Sequence, residues 1–297
     1  MEPISLPAYK GSMFRGGFGY AFKKVACALK KQDCKTCLLK EKCIYSYVFE
    51  TPPPKNSSVM KKYTHAPHPF IITPPLDEKR AYRPDETFSF EITLIGKAIE
   101  YLPYFIYTFN ELGDMGIGKG RGKYQLTKVY NIDALGKLIL IYNGHDEILL
   151  SDCKKVGLND FTFPKPDSGH LTLEFITPAR IKFDQSYVLN LEFHIFFRNM
   201  LRRIYLLYYF HCGHEPDLDI KEMIEKAVEI KIKESSLAWH DWERYSTRQE
   251  TRMKLGELKG KITFKGDFKE FFPFIFLGEY INVGKSTSFG LGKYKIL

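Results

Sequence analysis

The spacing of apolar and polar residues in the first half of the chain predicts strands and helices in alternation. Apolar residues recur at near-helical spacing over Arg15–Lys31 and Lys97–Leu112, which predicts a helix in each segment. Alternating polarity predicts a strand over Thr87–Leu94. Further strands are predicted at Phe70–Thr73, Tyr124–Ile132, Leu138–Tyr142 and Glu147–Leu150, and a loop is predicted over the proline-, lysine- and serine-rich segment Thr51–Lys62.

The second half repeats this order of elements. Its predicted strands are Leu171–Ile176, Val228–Lys233, Lys261–Lys265 and a short strand at the C-terminal end, and its predicted helices are Tyr187–Cys212, Asp219–Lys226 and Phe268–Leu277. Each half therefore contains the series strand, helix, strand, strand, helix, strand. This order predicts an α+β protein of two tandem ferredoxin-like (RRM-like) βαββαβ domains, over residues 1–160 and 161–297.

Two glycine-rich segments support the repeat. The first ends in Gly120-Arg-Gly122-Lys-Tyr-Gln-Leu126, and the second ends in Gly290-Leu-Gly292-Lys-Tyr-Lys-Ile296. Each has two glycines separated by one residue, followed by lysine and tyrosine, and each lies between a predicted helix and the last strand of its half. The match is short, but the order of elements points to the same repeat independently.

Composition and charge narrow the function classes. Hydrophobic residues make up 44% of the 297 residues, so the chain is able to bury a core. The 44 Lys and Arg against 35 Asp and Glu leave a net charge of +9, which favours nucleic acid as partner, with anionic lipid a distant second. The most apolar stretch, Phe193–Phe210, is interrupted by arginines and predicts no membrane span. With no signal peptide recognised near Met1, we expect a cytoplasmic protein.

Four of the six cysteines lie close together in the sequence. Cys27, Cys34, Cys37 and Cys43 have the spacing C-x6-C-x2-C-x5-C, and in a reducing compartment such a cluster favours metal ligation over disulfides. Four thiolates complete the tetrahedral shell of a structural zinc ion, and they also suit an iron–sulfur cluster. We therefore expect a four-cysteine knuckle at about 27–43, inserted in the first domain. The alternative is a set of reduced thiols on a helix and loop.

The glycine segments carry basic residues that suit phosphate binding. Lys119, Arg121 and Lys123 belong to the first segment, and Lys285, Ser286 and Lys293 belong to the second. Glycines let backbone N–H groups approach phosphates closely, so both segments are candidate RNA-binding loops. The alternative is close packing of each loop. A nucleotide-binding P-loop is excluded at Gly278–Ser286, because five residues separate its glycines and no long helix follows.

Several motifs together resemble the repeat-processing endoribonucleases of CRISPR systems, within the RAMP superfamily. The motifs are Leu6-Pro-x-Tyr-Lys-Gly-Ser-Met-Phe-Arg-Gly-Gly-Phe-Gly19 with the cysteine knuckle, Tyr45-x-x-x-Phe-Glu-Thr51, Thr93-Leu-Ile-Gly96, Phe175-Ile-Thr-Pro-x-Arg180, Leu201-Arg-Arg-Ile204, Trp239-x-Asp-Trp-x-Arg-Tyr-Ser-x-Arg-Gln249, the first glycine segment and Val283-Gly-Lys-x-Thr-x-Phe-Gly-Leu-Gly292. The resemblance implies two ferredoxin-like domains and binding of CRISPR repeat RNA. It also implies one cut by attack of a 2′-hydroxyl, without a metal, that leaves a 2′,3′-cyclic phosphate.

The catalytic residues are harder to assign, because this sequence departs from the family pattern. Family members commonly carry a histidine on or soon after the first helix, whereas residues 1–64 contain none. The first hypothesis takes His65 as general base, with Tyr20 and Lys24 completing the site. The second is a histidine-free cut, in which Tyr and Lys or Arg orient the RNA in line. The third takes His240 as the base.

RNA contacts are expected from basic residues along the whole chain. Besides the residues of the glycine segments, the candidates are Arg15, Arg244 and Arg248. One rival function is a non-catalytic RAMP subunit of a CRISPR effector complex, which the missing early histidine favours. The other is an unrelated zinc-containing RNA-binding protein.

Overall fold

The computed structural model divides the chain into two compact units. It describes residues 2–30, 32–54, 57, 59–60, 65–150, 153–163, 169–213, 215–246 and 251–297, with the side chains of all of these except 240–246 and 251–256. The first unit comprises Met1–Phe161 with Phe210–Gly213, and the second comprises Thr162–Tyr209 with His214–Leu297. None of the described helices combines the length and the apolar character needed to cross a membrane.

The first unit combines two long helices with short antiparallel strands. Helix α1 (Gly11–Ala26) packs against α2 (Leu102–Met115), and a π-helix covers Ser46–Glu50. The strands are β1 (Ile4–Ser5), β2 (Phe70–Thr73), β3 (Ala81–Tyr82), β4 (Glu91–Leu94), β5 (Lys128–Ile132), β6 (Leu138–Asn143) and β7 (Ile148–Leu149). They pair as β1–β3, β2–β4 and β5–β6–β7.

An aromatic core holds α1 in place. Phe14, Phe18 and Phe22 recur every four residues on α1, so they share one face of the helix, and all three are fully buried. The Phe18 ring stacks on Phe105 and Phe109 of α2 at centroid distances of 5.1 and 5.2 Å. The residues of the opposite face, including Tyr20, are left on the outside.

The second unit is built on one antiparallel sheet. The strands of this sheet are β8 (His170–Ala179), β11 (Lys231–Ser235), β12 (Ala238–Ser246), β13 (Thr251–Lys265) and β14 (Tyr294–Ile296). A separate small hairpin is formed by β9 (Lys182–Phe183) and β10 (Ser186–Tyr187). The sheet order is β11-β13-β8-β14, with β12 paired to β13. The helices are α3 (Phe193–His211), α4 (Ile220–Ala227) and α5 (Phe272–Ile281). Phe193 of α3 packs edge-on against Phe264 of β13 and Phe271 beside α5.

Three helix predictions have wrong limits. The first helix ends at Ala26, before the turns that carry the cysteines, rather than at Lys31. The long helix begins at Phe193 rather than Tyr187, because Tyr187 pairs with Lys182 in the β9–β10 hairpin. The last helix covers Phe272–Ile281 rather than Phe268–Leu277.

Several strand limits were also wrong. Strand β5 begins at Lys128 rather than Tyr124, and β8 continues to Ala179 because Ala179 pairs with Leu258. Strand β13 starts at Thr251 rather than Lys261, since it pairs with β12 before it reaches β8. The mixed α+β class with antiparallel sheets is confirmed.

Candidate functional site

The outer face of α1 carries two of the three residues predicted to be catalytic. The Tyr20 side chain is 71% exposed, and Lys24 follows one turn later. Lys24 Nζ lies 2.6 Å from Oε2 of Glu111 on α2, and the Tyr107 hydroxyl donates to Oε1 of the same carboxylate at 3.5 Å. The hydrogen bond to Glu111, followed by its charge, raises the pKa of Lys24. Lys24 is therefore a cation and suits charge stabilisation rather than proton removal.

His65 is exposed and its ring has a defined orientation. Its Nδ1 lies 2.6 Å from the backbone carbonyl oxygen of Glu50. A carbonyl oxygen only accepts, so Nδ1 carries the proton and donates, which leaves the lone pair of neutral His65 on Nε2. Among the described contacts, none joins His65 to Tyr20 or Lys24. The structure thus places the three predicted catalytic residues in the same unit without a direct contact between His65 and the other two.

A network that the sequence analysis did not identify connects α1 to the loop of His65. Arg15 Nη2 lies 3.1 Å from Nε2 of His68, and Nδ1 of His68 lies 3.1 Å from Oγ1 of Thr51. Arginine only donates, so His68 accepts at Nε2 and donates from Nδ1 to Thr51. The Thr51 hydroxyl in turn donates to the Ala66 carbonyl at 3.0 Å, and Ala66 N–H donates to the Thr51 carbonyl at 2.8 Å.

This network places the predicted RNA contact Arg15 partly inside the protein. The guanidinium group lies 4.0 Å from the centroid of the Phe49 ring, in addition to its bond with His68. Phe49 belongs to the π-helix, and Thr51 follows it with a left-handed φ of 43°. π-Helical turns are frequent at functional sites. The second histidine of the segment from His65 to Pro69, together with the Phe-Glu-Thr51 motif, was the available sequence signal for this network.

The first glycine segment forms an exposed basic hairpin. Ile117 and Gly122 form an antiparallel bridge, and Lys119 N–H donates to the Ser5 carbonyl of β1 at 2.9 Å. The three cations predicted to bind RNA are all exposed, at positions Lys119, Arg121 and Lys123. The hairpin therefore presents positive charge from a tip that is joined to the first strand of its unit.

The second glycine segment is packed against the end of β8. Lys285 N–H donates to the Arg180 carbonyl at 2.8 Å, and Gly292 N–H donates to the Pro178 carbonyl at 2.9 Å. Lys293 N–H donates to Oγ1 of Thr177 at 2.9 Å. These three amides therefore bind protein acceptors, and the hypothesis that backbone amides cradle phosphate gains no support from them. The Lys285 side chain is exposed, and Ser286 has a left-handed φ of 60°.

The remaining predicted sites lie at the limit of the described residues. His240 and Arg244 are on β12, where Arg244 pairs with Met253 of β13, but their side chains are outside the described set. Arg248 lies outside the described residues altogether. Their predicted roles stay predictions.

The four clustered cysteines lie just after α1. Burial is the main cause that raises the pKa of Cys34, and Cys27 and Cys43 lie close enough to contribute. Within the described part of the chain, no three His, Cys, Asp or Glu side chains are grouped so that they would hold a metal ion. The residues as arranged therefore do not form a ligand set, and the four-cysteine site stays a prediction.

Family models match both halves of the chain. Residues 1–153 match a family model described as an N-terminal domain, and residues 173–294 match the model of CRISPR-associated endoribonuclease Cas6. An uncharacterized protein of Archaeoglobus fulgidus is 25% identical over 293 residues, which cover 98% of this chain and 92% of that protein. This relative extends the similarity over both halves.

Two solved structures share the fold over nearly the whole chain. A Cas6 product complex has a TM-score of 0.58 at 13% identity and covers 99% of this chain and 97% of that chain. Cas6 of Thermus thermophilus has a TM-score of 0.52 at 13% identity, with coverages of 99% and 95%. The match over residues 173–294 and this common fold confirm the resemblance found in the sequence motifs: residues 173–294 match the CRISPR-associated endoribonuclease Cas6 family, and the chain is a Cas6-like protein.

Proposed function

We propose that this protein binds CRISPR repeat RNA and cuts precursor crRNA once in each repeat, without a metal cofactor. The 2′-hydroxyl next to the scissile phosphate attacks phosphorus, the bond to the 5′ oxygen breaks, and the products carry a 2′,3′-cyclic phosphate and a 5′-hydroxyl. The observation that carries the proposal is the exposed side chain of His65, whose ring is oriented by the Glu50 carbonyl. A base of this kind accelerates proton transfer about 10²–10⁴-fold.

Each predicted catalytic residue has a role that suits its surroundings. His65 accepts the 2′ proton at Nε2 while Nδ1–H keeps its bond to Glu50. Lys24 stabilises negative charge on the phosphorane once a phosphate oxygen replaces Glu111 as its partner. Tyr20 is the donor to the leaving 5′ oxygen, because its exposed hydroxyl is near Lys24 on the same helix face.

The network through Arg15, His68 and Thr51 supports the role of His65. It joins α1, which carries Tyr20 and Lys24, to the backbone next to His65. A network of this kind limits the movement of the base relative to the other two groups, and correct positioning lowers the barrier by several kcal/mol. Arg15 acts here by holding the loop rather than by a direct RNA contact.

Cations in both units are proposed to hold the RNA backbone. Lys119, Arg121 and Lys123 would do so from the first unit, and Lys285 and Lys293 from the second, with Ser286 as a hydroxyl donor. Arg244 of β12 and Arg248 complete the proposed set. These contacts position the RNA and carry no sequence information by themselves.

We also propose that both units are ferredoxin-like domains in tandem. The sheet order β11-β13-β8-β14, with α3 after β8 and α5 after β13, supports this for the second unit. For the first unit the proposal rests on the order of its elements, since β1–β3 and β2–β4 pair there as two separate two-stranded sheets. The proposed domains are residues 1–160 and 161–297.

Cleavage of a labelled CRISPR repeat RNA in excess EDTA tests the reaction. A control RNA carries a 2′-deoxy nucleotide before the cut, and we expect a single cut in EDTA that the deoxy control abolishes. His65→Ala should slow single-turnover cleavage about 100-fold or more. His145→Ala removes an exposed histidine of the same unit and serves as the matched control, with an unchanged rate.

Each other result assigns a different function. Tight binding without a cut would identify a non-catalytic RNA-binding subunit of a CRISPR effector complex. A cut that survives His65→Ala would reject His65 as the base and leave His240 or a histidine-free mechanism. A cut that EDTA abolishes would reject metal independence.

The proposed structural zinc or iron–sulfur site has its own test. The purified protein should contain about one zinc ion per chain, or show the visible absorption of an iron–sulfur cluster. Cys34→Ser should reduce the metal content and the melting temperature, whereas Cys153→Ser is the control outside the cluster. A metal-free protein that Cys34→Ser does not destabilise would reject the site.

A further inference from the structure

A small cationic hairpin beside the C-terminal glycine segment has no role in the sequence analysis. Strands β9 and β10 pair Phe183 with Ser186 and Lys182 with Tyr187. The two turn residues, Asp184 and Gln185, both have left-handed φ values of 46° and 67°. This is the compact two-residue turn that normally selects asparagine or glycine, so the backbone here is strongly constrained.

Three cationic side chains lie close to two aromatic rings of this hairpin. The guanidinium carbon of Arg180 and the Nζ of Lys182 lie 4.7 and 4.8 Å from the centroid of the Tyr187 ring. The guanidinium carbon of Arg198, on α3, lies 5.6 Å from the centroid of the Phe183 ring. Cation–π contacts orient such side chains but leave their charge in place.

Two of these three cations keep their charge directed to solvent. Arg180 lies 3.8 Å from the buried carboxylate of Glu257 and donates to the Tyr187 hydroxyl, so it is used inside the unit. Lys182 and Arg198 are exposed, and in the described part of the structure neither forms an ion pair with a carboxylate. An anion from outside would therefore find two oriented cations without a competing acid bound to them.

The hairpin adjoins the glycine segment through the backbone. Lys285 N–H donates to the Arg180 carbonyl at 2.8 Å, and a Cβ atom on Gly284 would lie only 2.4 Å from the same oxygen. The glycine at 284 thus permits close contact between the loop of Lys285 and the base of the hairpin. The base of the hairpin and the loop of Lys285 are therefore neighbours in the second unit.

We propose that the surface formed by Lys182, Phe183, Tyr187 and Arg198 binds the phosphate backbone of RNA next to the glycine segment. The proposal rests on the proposed function for its partner and adds a binding surface to it. The half-buried rings hold the cations, and the two cations contact successive phosphates. Because phosphates are the same in every sequence, the contact contributes equally to repeat RNA and to any other RNA strand.

The salt dependence of RNA affinity tests this surface. Lys182→Gln combined with Arg198→Gln removes two charges but keeps side chains long enough to cover the rings. We expect the slope of log Kd against log salt to decrease by about 1.4 and the affinity to fall about 10-fold near 0.15 M salt. The fall should be the same for a repeat RNA and for a scrambled RNA of equal length.

Matched variants separate charge from packing. Lys221→Gln with Lys226→Gln makes the same change in net charge on α4, where both lysines pair with glutamates, and should leave the slope unchanged. Lys182→Arg with Arg198→Lys keeps both charges and should retain the wild-type slope. An equal loss in this charge-conserving variant would overturn the proposal in favour of a packing role.

Two further results would also overturn it. The first is an unchanged affinity and salt slope in the glutamine variant. If that variant still cleaved RNA, the proposed function would stand although this surface was rejected. An acidic protein would then be the partner to test. A loss confined to the repeat RNA would indicate base reading instead of phosphate binding. If the wild-type protein bound no RNA, the proposed function and this surface would fail together.

Discussion

The two glycine segments share a motif but differ in how they are held. In the first unit, the segment projects as a hairpin with an exposed tip, where a Cβ atom on Gly120 would meet no atom within 4 Å, whereas one on Gly122, at the base of the hairpin, would lie 2.3 Å from the Pro3 carbonyl oxygen. In the second unit, the segment lies against the end of β8, and a Cβ atom on Gly292 would lie 1.9 Å from the Val283 carbonyl oxygen. The same residue pattern therefore serves a projecting loop in one unit and a packed loop in the other.

What the two segments share is the tyrosine that follows the glycines. The Tyr124 hydroxyl donates to the Phe109 carbonyl of α2 at 2.8 Å, and the Tyr294 hydroxyl donates to the Ile275 carbonyl of α5 at 2.5 Å. Each tyrosine thus joins the segment after the glycines to the preceding helix of its unit. The common G-x-G-K-Y motif reflects this anchoring, while side chains at the tip and the local packing decide what each loop does.

The largest loss of stability should come from replacing the packed glycine, Gly292. Gly292→Ala places a Cβ atom against backbone and forces alanine to adopt a φ of 73°, so the free energy of unfolding should fall by about 3 kcal/mol or more. Gly120→Ala has the strained φ of 86° but open space, and should cost only about 1 kcal/mol. Urea denaturation of both variants measures the difference. Equal losses would mean that packing does not distinguish the two loops.

RNA binding should depend more on the projecting loop. Replacing Lys119, Arg121 and Lys123 together with alanine should lower the slope of log Kd against log salt by about 2 and the affinity by roughly 10- to 100-fold. Lys285→Ala removes one cation and should lower the slope by about 0.7. Both variants should melt like the wild type, since their side chains are exposed. If Lys285→Ala lowered the salt slope and the affinity more than the triple variant did, the loop of the second unit would contribute more to RNA binding.

The buried tyrosine should give the second unit a pH dependence above pH 10. Burial raises the pKa of Tyr294 well above its ordinary value. The unfolded chain then releases this proton first, so the stability contribution is complete below pH 10 and is lost as the pH rises above it. Tyr294→Phe should therefore reduce the slope of the unfolding free energy against pH, between 10 and 12, by about 1.4 kcal/mol per pH unit. An unchanged slope would show that Tyr294 ionises normally.

The smallest expected change in stability comes from removing the hydroxyl of Tyr294 or of Tyr124 at neutral pH. Tyr294→Phe leaves the buried Ile275 carbonyl without its donor and should cost about 1–2 kcal/mol. Tyr124 is only partly buried, so water replaces part of the lost bond, and Tyr124→Phe should cost about 0.5–1 kcal/mol. Denaturation at pH 7 measures both changes. A greater loss for Tyr124→Phe would indicate that the first unit depends more on its anchor.

Local patterns predicted most elements but not their limits. The near-helical spacing of apolar residues within Arg15–Lys31, such as Phe18 and Phe22, identified α1, and the strand predicted over Leu171–Ile176 identified β8, because each pattern lies within one element. The β9–β10 hairpin was missed, since Asp184-Gln185 is not a residue pair that usually signals a tight turn. Strand β13 was predicted ten residues too short, because its partner β12 is recognised only through pairing.

The sequence by itself determined the α+β class and the resemblance to Cas6 proteins, because these depend on local periodicity and on motifs that can be read in order. Only the tertiary structure decided which polar groups meet. Arg15 and His68 are 53 residues apart, and Lys24 and Glu111 are 87 residues apart, yet each pair is in contact. Pairs so distant along the chain meet only after the core has formed, and no local pattern encodes them. The same contacts engage Arg15 and Lys24 within the protein.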